Sequence, residues 1–348
     1  MDDHRLADLR VYNQHINNPK FKNPEDVVKT MLAMQAQDYA GAKWAIGLRM
    51  QKANEALIEQ AITDGKILRT HLLRPTWHFV SPYDIRWLLA LTRPRIDSIN
   101  AGMYKKFELD AAILNKGNDV FAKALQGNKQ LTRAELVEVL NQNSIPTDDL
   151  RFTLLLMHAE LDAVICSGAR VGKQFTYALL DERAPATPQL SRQEALTKLA
   201  EAYFNTRGPA TVHDFATWCG LTIADCIIGL ENVKQQLASE VIDGKTYWMP
   251  NDIEEVSTKH KAYLLPAYDE FAIAYKDREA LVNPKYLAQA RHVIFDPVVV
   301  VDNQVVGNWK RTIKTSKIDI SLNLYGKLNK QQLKAVEAAV KSYQKFME

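Results

Sequence analysis

The sequence predicts an α+β protein in which helices followed by a strand hairpin recur three times before a strand-rich C-terminal segment. Three observations carry this. Apolar residues at helical spacing alternate along the chain with short runs of β-branched and aromatic residues. Helix-start chemistry recurs, as Asn23-Pro24-Glu25, Thr132 with Glu135, Ser191 with Glu194, and Thr211 with Asp214. Turn dipeptides at Asp64-Gly65, Asp243-Gly244 and Asp302-Asn303 fall between runs with strand character.

The first round begins with a helix over residues 6–16. Asn23 then caps and Pro24 opens a second helix, and Val27, Val28, Met31, Leu32 and Met34 give it an apolar stripe. The polar run 35–38 ends it, helices over 41–50 and 54–62 follow, and strands over 67–74 and 75–80 close the round. The second round has a helix over 82–93 rich in Ile85, Trp87, Leu88 and Leu89, a capping box at Thr132, an apolar helix over 149–161, and two strands within 164–180 around Gly168 and Gly172. Residues 185–188, bounded by prolines, read as a linker. The third round has helices over 192–205, 211–219 and 222–237 and a hairpin within 241–249. Helices followed by a hairpin are the order of a winged-helix unit. The expected domains are therefore three tandem winged-helix units over 1–80, 81–188 and 189–255. Beyond them, strand-like runs at 262–275, 293–301, 304–310 and 313–324 predict a small C-terminal β-barrel within 256–348, with a closing helix over 329–347.

Composition sets limits on function. The chain has 348 residues, 47% hydrophobic and 24% charged, which allows several sizeable cores. A net charge of +3 is not that of a strongly basic nucleic-acid binder, so any such surface has to come from local clusters. Cys166, Cys219 and Cys226 are odd in number and lack CxxC spacing, which argues against a disulfide framework or a zinc site and suits a reducing cytoplasm. The eight histidines show neither HxH nor HExxH spacing, so neither a metal nor a cofactor is expected. The charged start MDDHRLADLR is no signal peptide, and no apolar run reaches the roughly 20 residues of a membrane span. The reading is a soluble, cytoplasmic monomer.

The candidate chemistry lies in Gln35-Ala36-Gln37. Two amides one residue apart suit a site that holds a water molecule or a base edge. In a continuous helix, residues two apart point to different faces, so the helix has to end near Met34 or the motif has to be extended. On the first hairpin, Arg69, His71, Arg74 and His78 surround Trp77, with Arg69, Arg74 and His78 as candidate phosphate contacts. Lys310 and Arg311, with Lys314 and Lys317 nearby, form a second candidate contact cluster. Other basic pairs, such as Arg93 with Arg95, Lys105 with Lys106, and Arg170 with Lys173, fit ordinary solvated faces. Asp269-Glu270, placed in a strand, alternates faces and reads as structural ion pairs.

Four stretches then carry a resemblance. MLAMQAQDYAGAKWAIGLR (31–49), LRTHLLRPTWHFVSPYDIRWLL (68–89), LLPAYDEFAIAYKDR (264–278) and DPVVVVDNQVVGNWKR (296–311) resemble, in this order, the AlkZ/YcaQ-like bacterial DNA glycosylases. The resemblance implies three winged-helix units and a C-terminal β-barrel around a basic concave channel. It implies that Gln35 and Gln37 are the catalytic Gln-x-Gln motif, here with alanine as the apolar middle residue. Gln-x-Gln members are associated with alkylated purines, and Gln-x-Asp members with unhooking interstrand crosslinks. The implied partner is double-stranded DNA containing alkylated bases.

The chemistry agrees with amides. A purine alkylated at N7 or N3 already carries a positive charge and leaves as a neutral base. It needs no general acid, only positioned water and stabilisation of developing charge. Glutamine is no base near neutral pH, but its carbonyl accepts from water and its NH₂ donates. The expected enzyme is monofunctional, leaving an abasic site without strand cleavage. Two other readings stand beside it, a non-catalytic winged-helix DNA-binding regulator and a crosslink-unhooking glycosylase.

Overall fold

The computed structural model describes residues 2–252, 261–314 and 317–348. In chain order it contains α1 (Asp3–Asn13), α2 (Pro24–Met31), β1 (Ala33–Gln35), α3 (Tyr39–Gly47), α4 (Glu55–Thr63), β2 (Leu68–Leu72), β3 (Thr76–Val80), α5 (Ile85–Lys106) and α6 (Ala111–Leu125). Next come β4 (Leu131–Thr132), α7 (Arg133–Gln142), α8 (Arg151–Leu161), β5 (Ile165–Ser167), β6 (Thr176–Leu179), α9 (Leu180–Arg183), α10 (Arg192–Arg207), α11 (Val212–Cys219) and α12 (Ile223–Val233). The remainder is β7 (Leu237–Ile242), β8 (Lys245–Pro250), β9 (Ala262–Leu265), α13 (Glu270–Ile273), β10 (Val298–Val301), β11 (Gln304–Lys314), β12 (Lys317–Leu324) and α14 (Lys330–Phe346). The boundary expected between 255 and 256 lies outside the described residues.

Helices followed by a hairpin do recur: α2–α4 precede β2–β3, α7 and α8 precede β5–β6, and α10–α12 precede β7–β8. Local chemistry accounts for several starts. Thr132 and Glu135 form a reciprocal capping box, with the Thr132 N–H donating to Glu135 Oε2 at 2.7 Å. Thr211 donates its N–H to Asp214 Oδ2 at 2.9 Å, and Asn329 pairs with Gln332 in the same way before α14. Asp243 and Gly244 both take positive φ at the β7–β8 turn, as a two-residue hairpin turn of the primed kind requires.

The chain forms two compact units. One comprises Gln60–Ala195 with Cys219–Leu221. Its core gathers Phe121, Leu125, Leu136, Leu155, Leu156 and Ile165, each at most 2% exposed. Its β2–β3 hairpin pairs Arg69 with Phe79 and His71 with Trp77, and a three-stranded sheet has the order β4-β6-β5. The helix expected over 82–93 is part of the 22-residue α5, which continues through Pro94.

The other unit comprises Met1–Glu59, Leu196–Trp218 and Thr222–Glu348. The buried rings of Tyr203, Phe204, Phe215 and Trp218 pack together within it, Tyr203 and Phe215 stacked with ring centroids 4.8 Å apart. Among the described residues its C-terminal strands form an open antiparallel sheet of order β12-β11-β10-β9, not the closed barrel expected. The runs read as long strands are the reason. β9 and β10 have four residues each, and the segment between them holds α13 and the 3₁₀ turns Glu279–Leu281 and Pro284–Tyr286. Too few strands remain for closure. Among the described residues no helix is long and apolar enough to cross a membrane.

Candidate active site

The glutamine stretch leaves α2 abruptly. Leu32 has φ 64 and ψ −53, a γ-turn conformation that a leucine rarely adopts, and β1 begins at the next residue. The helix therefore stops at Met31, three residues before the end of its apolar stripe, and the backbone is extended through Gln35. Gln35 is 9% exposed, whereas Gln37 is exposed.

The backbone of this junction is held by two buried side chains of the same unit. Arg207, at the end of α10 and fully buried, donates from Nη1 to the Met31 carbonyl at 3.0 Å and from Nη2 to the Ala33 carbonyl at 2.8 Å. It thus grips both sides of Leu32. Glu270, the first residue of α13, accepts the Gln35 N–H on Oε1 at 3.0 Å. Its Oε2 accepts from Arg207 Nε at 2.8 Å and from Trp218 Nε1 at 2.9 Å. The Arg207 guanidinium also lies over the Trp218 ring, 4.3 Å from its centroid.

A second ion pair adjoins the first. Asp269 caps α13 by accepting the Phe271 N–H at 2.9 Å, and Arg49 donates to both of its carboxylate oxygens, at 3.0 and 3.1 Å. Arg49 also donates to Gln14 Oε1 at 3.0 Å, and Gln14 donates to the Tyr275 hydroxyl at 2.9 Å. Burial pushes the Tyr275 hydroxyl up to about 12, so it stays protonated and donates to the Arg207 carbonyl at 2.8 Å. Asp269 and Glu270 are ion-paired, as expected, but they open a short helix and do not lie on a strand. Both face inward onto cations drawn from distant parts of the chain. The AYDEFAIAY run was the available signal, an adjacent carboxylate pair set in an apolar, aromatic-rich stretch.

Arg69 and His78, expected as candidate phosphate contacts, are both buried. Arg69 is 6% exposed, packed between the rings of Trp77 at 4.1 Å and Phe175 at 4.7 Å. His78 is fully buried, with Nδ1 2.9 Å from the Thr76 carbonyl. The hairpin turns both side chains into the packing because its strands are covered on both faces. His71 bonds to the buried carboxylate of Glu160 and stacks on Trp77. Arg74 is half-buried. In the other unit Lys310 is exposed, and Arg311 is half-buried with Nη1 donating to the Tyr343 hydroxyl at 2.6 Å. The side chains of Lys314 and Lys317 lie outside the described residues.

The fold is shared with a solved DNA glycosylase. The Streptomyces sahachiroi DNA glycosylase AlkZ superposes with a TM-score of 0.81 at 19% identity, over 99% of this chain and 96% of that one. A curated relative, the interstrand DNA cross-link repair glycosylase of Streptomyces sahachiroi, is 22% identical over 319 residues, covering 86% of this chain and 85% of its own. The sequence model described as DNA glycosylase AlkZ-like matches residues 28–346. The chain belongs to the AlkZ-like DNA glycosylase family and is a DNA glycosylase.

Proposed function

We propose that this glycosylase hydrolyses the N-glycosidic bond of purines carrying a positive charge from alkylation at N7 or N3, in double-stranded DNA, with Gln35 and Gln37 holding the attacking water. The observation that supports it is the break at Leu32. It ends α2 before the motif, so Gln35 sits on extended backbone and the two amides need not fall on different sides of a helix. No acid or base is required of either residue, because the leaving base is neutral once released. The reaction leaves an abasic site and an intact strand. Arg74, Lys310 and Arg311 take the role of phosphate contacts, while the buried Arg69 and His78 brace the hairpin. The three helix-and-hairpin stretches over 1–80, 81–188 and 189–255 act as winged-helix units of a monomeric cytoplasmic enzyme.

The test is release of 7-methylguanine from a duplex by the wild type and by Gln35→Ala and Gln37→Ala. Each substitution is expected to lower the single-turnover rate by about 100-fold while DNA binding persists, the scale at which lost positioning is felt. Uracil is expected to remain in the duplex. Excision of uracil as fast as 7-methylguanine, or full activity in both variants, would sink the reading. A second reading is favoured by the name of the curated relative, which is a cross-link repair enzyme. An interstrand-crosslinked duplex assayed beside the monoadduct separates the two. Faster unhooking than monoadduct excision would transfer the conclusion to crosslinks.

A further inference from the structure

We infer that Glu270 and Arg207 are positioning residues of the glycosylase reaction, holding a strained chain junction so that Gln35 is delivered in one fixed backbone conformation. The inference rests on the reading of Gln35 as a catalytic residue.

Leu32 is the starting point. A leucine at φ 64 has its Cβ crowded against its own carbonyl, and such a conformation persists only where its surroundings over-determine it. Here the restraint is visible. The two carbonyls flanking Leu32, those of Met31 and Ala33, are both taken by the fork of Arg207. A guanidinium suits this because its donors are fixed in one plane, so both carbonyls are held at a set separation. Two residues further on, the Gln35 N–H is taken by Glu270. The junction is therefore fixed at three backbone points, and no side chain of the motif is used to do it.

Glu270 is well suited to hold and poorly suited to react. Its two oxygens receive the Gln35 N–H, the Arg207 Nε and the Trp218 indole N–H, and it is 1% exposed. A carboxylate so occupied is withdrawn from proton transfer. Its charge is matched by Arg207, so the two residues form a single rigid piece whose outer edge is lined by peptide groups of the junction. A hydrophobic pair of equal volume could fill the same space, but it could not hold a peptide group. The ion pair thus acts through geometry, and its contribution should appear in the chemical step more than in DNA binding.

Glu270→Gln tests this, because an amide has only one acceptor oxygen. It can satisfy the Gln35 N–H or the Arg207–Trp218 side, but not both. The single-turnover rate on a duplex with one 7-methylguanine is expected to fall about 100-fold, with affinity for the same duplex carrying a non-hydrolysable 2′-fluoro analogue within about threefold of wild type. Val300→Ala in β10 serves as a destabilised control, since it loosens a buried position of the same unit outside the junction and should retain the wild-type rate. Where Glu270→Gln does not fold, Arg207→Lys decides. It keeps the charge beside Glu270, cannot fork to two carbonyls, and should show the same split with at least about a tenfold loss of rate. Melting curves confirm that each variant is folded at the assay temperature. A folded Glu270→Gln or Arg207→Lys protein with the wild-type rate overturns the inference, as does a loss of rate explained wholly by weaker binding. If Gln35→Ala and Gln37→Ala abolish excision while these variants do not, only the positioning role falls. If the glutamine variants are fully active, the proposed function falls with it.

Discussion

Arg49 and Asp269 meet as a two-point ion pair, with Nη1–Oδ2 and Nη2–Oδ1 separations of 3.1 and 3.0 Å, both side chains almost wholly removed from water. The guanidinium comes from just beyond α3 and the carboxylate from the start of α13, so the pair ties together chain segments 220 residues apart. Beside it, Arg207 pairs with one oxygen of Glu270, whose other oxygen takes the Gln35 N–H.

Asp269→Asn isolates the value of this pair. Asparagine can still cap α13 through its oxygen, but it leaves the Arg49 charge buried and uncompensated. Removing one partner of a buried pair costs about 3–5 kcal/mol, so the melting temperature should fall by several degrees. The double change Arg49→Met with Asp269→Leu should recover much of that loss, since neither charge is then stranded. Equal melting temperatures for wild type and Asp269→Asn would show that the pair contributes nothing to stability.

The sequence made some of this legible and concealed the rest for physical reasons. Helix caps were readable because their partners are three residues away, as with Thr132 and Glu135 or Thr211 and Asp214. The β7–β8 turn was readable because Asp243-Gly244 is a local conformational preference. The break at Leu32 was hidden, since Leu32 and Met34 continue the apolar stripe of α2 and the group that holds the break is 176 residues away from Met31. Gln35 and Gln37 were singled out as candidates from their chemistry and a resemblance, whereas Glu270 and Arg207 gave no local sign of their partnership. The barrel expectation failed because an apolar, aromatic-rich run was read as strand through α13, a four-residue helix too short to show a period of its own.

Lys310 and Arg311 predict a salt signature. Lys310 is exposed on β11, and Arg311 shares its guanidinium with Tyr343. Lys310→Ala should weaken binding to all duplexes alike and lower the slope of log affinity against log salt by about one unit, as the loss of one phosphate contact does. Arg311→Ala should do the same and also lower the melting temperature slightly. An unchanged slope, read by fluorescence anisotropy at several salt concentrations, would remove β11 from the DNA-binding surface.

His15 predicts an acid limit to stability. Burial, and then the nearby charges of Lys20 and Arg49, lower its pKa from 6.5 to about 4. The folded protein therefore favours the neutral ring. The stabilisation is fully present above pH 6.5 and is lost as pH falls toward 4. Between pH 7.5 and 5 this one group should cost about 2 kcal/mol. His15→Asn, which tolerates the positive φ of 58 at this position, should flatten the fall in melting temperature over that range. Parallel curves for the two proteins would contradict the assignment.

The unit that carries Gln35 is drawn from three stretches of chain, Met1–Glu59, Leu196–Trp218 and Thr222–Glu348. A ribosome that has translated as far as Ala195 has already made both glutamines, but neither Arg207 nor Glu270. The contacts that hold the glutamine junction can therefore form only late in synthesis, once α13 follows a segment made 235 residues earlier. A chain cut short before Glu270 lacks the carboxylate that takes the Gln35 N–H.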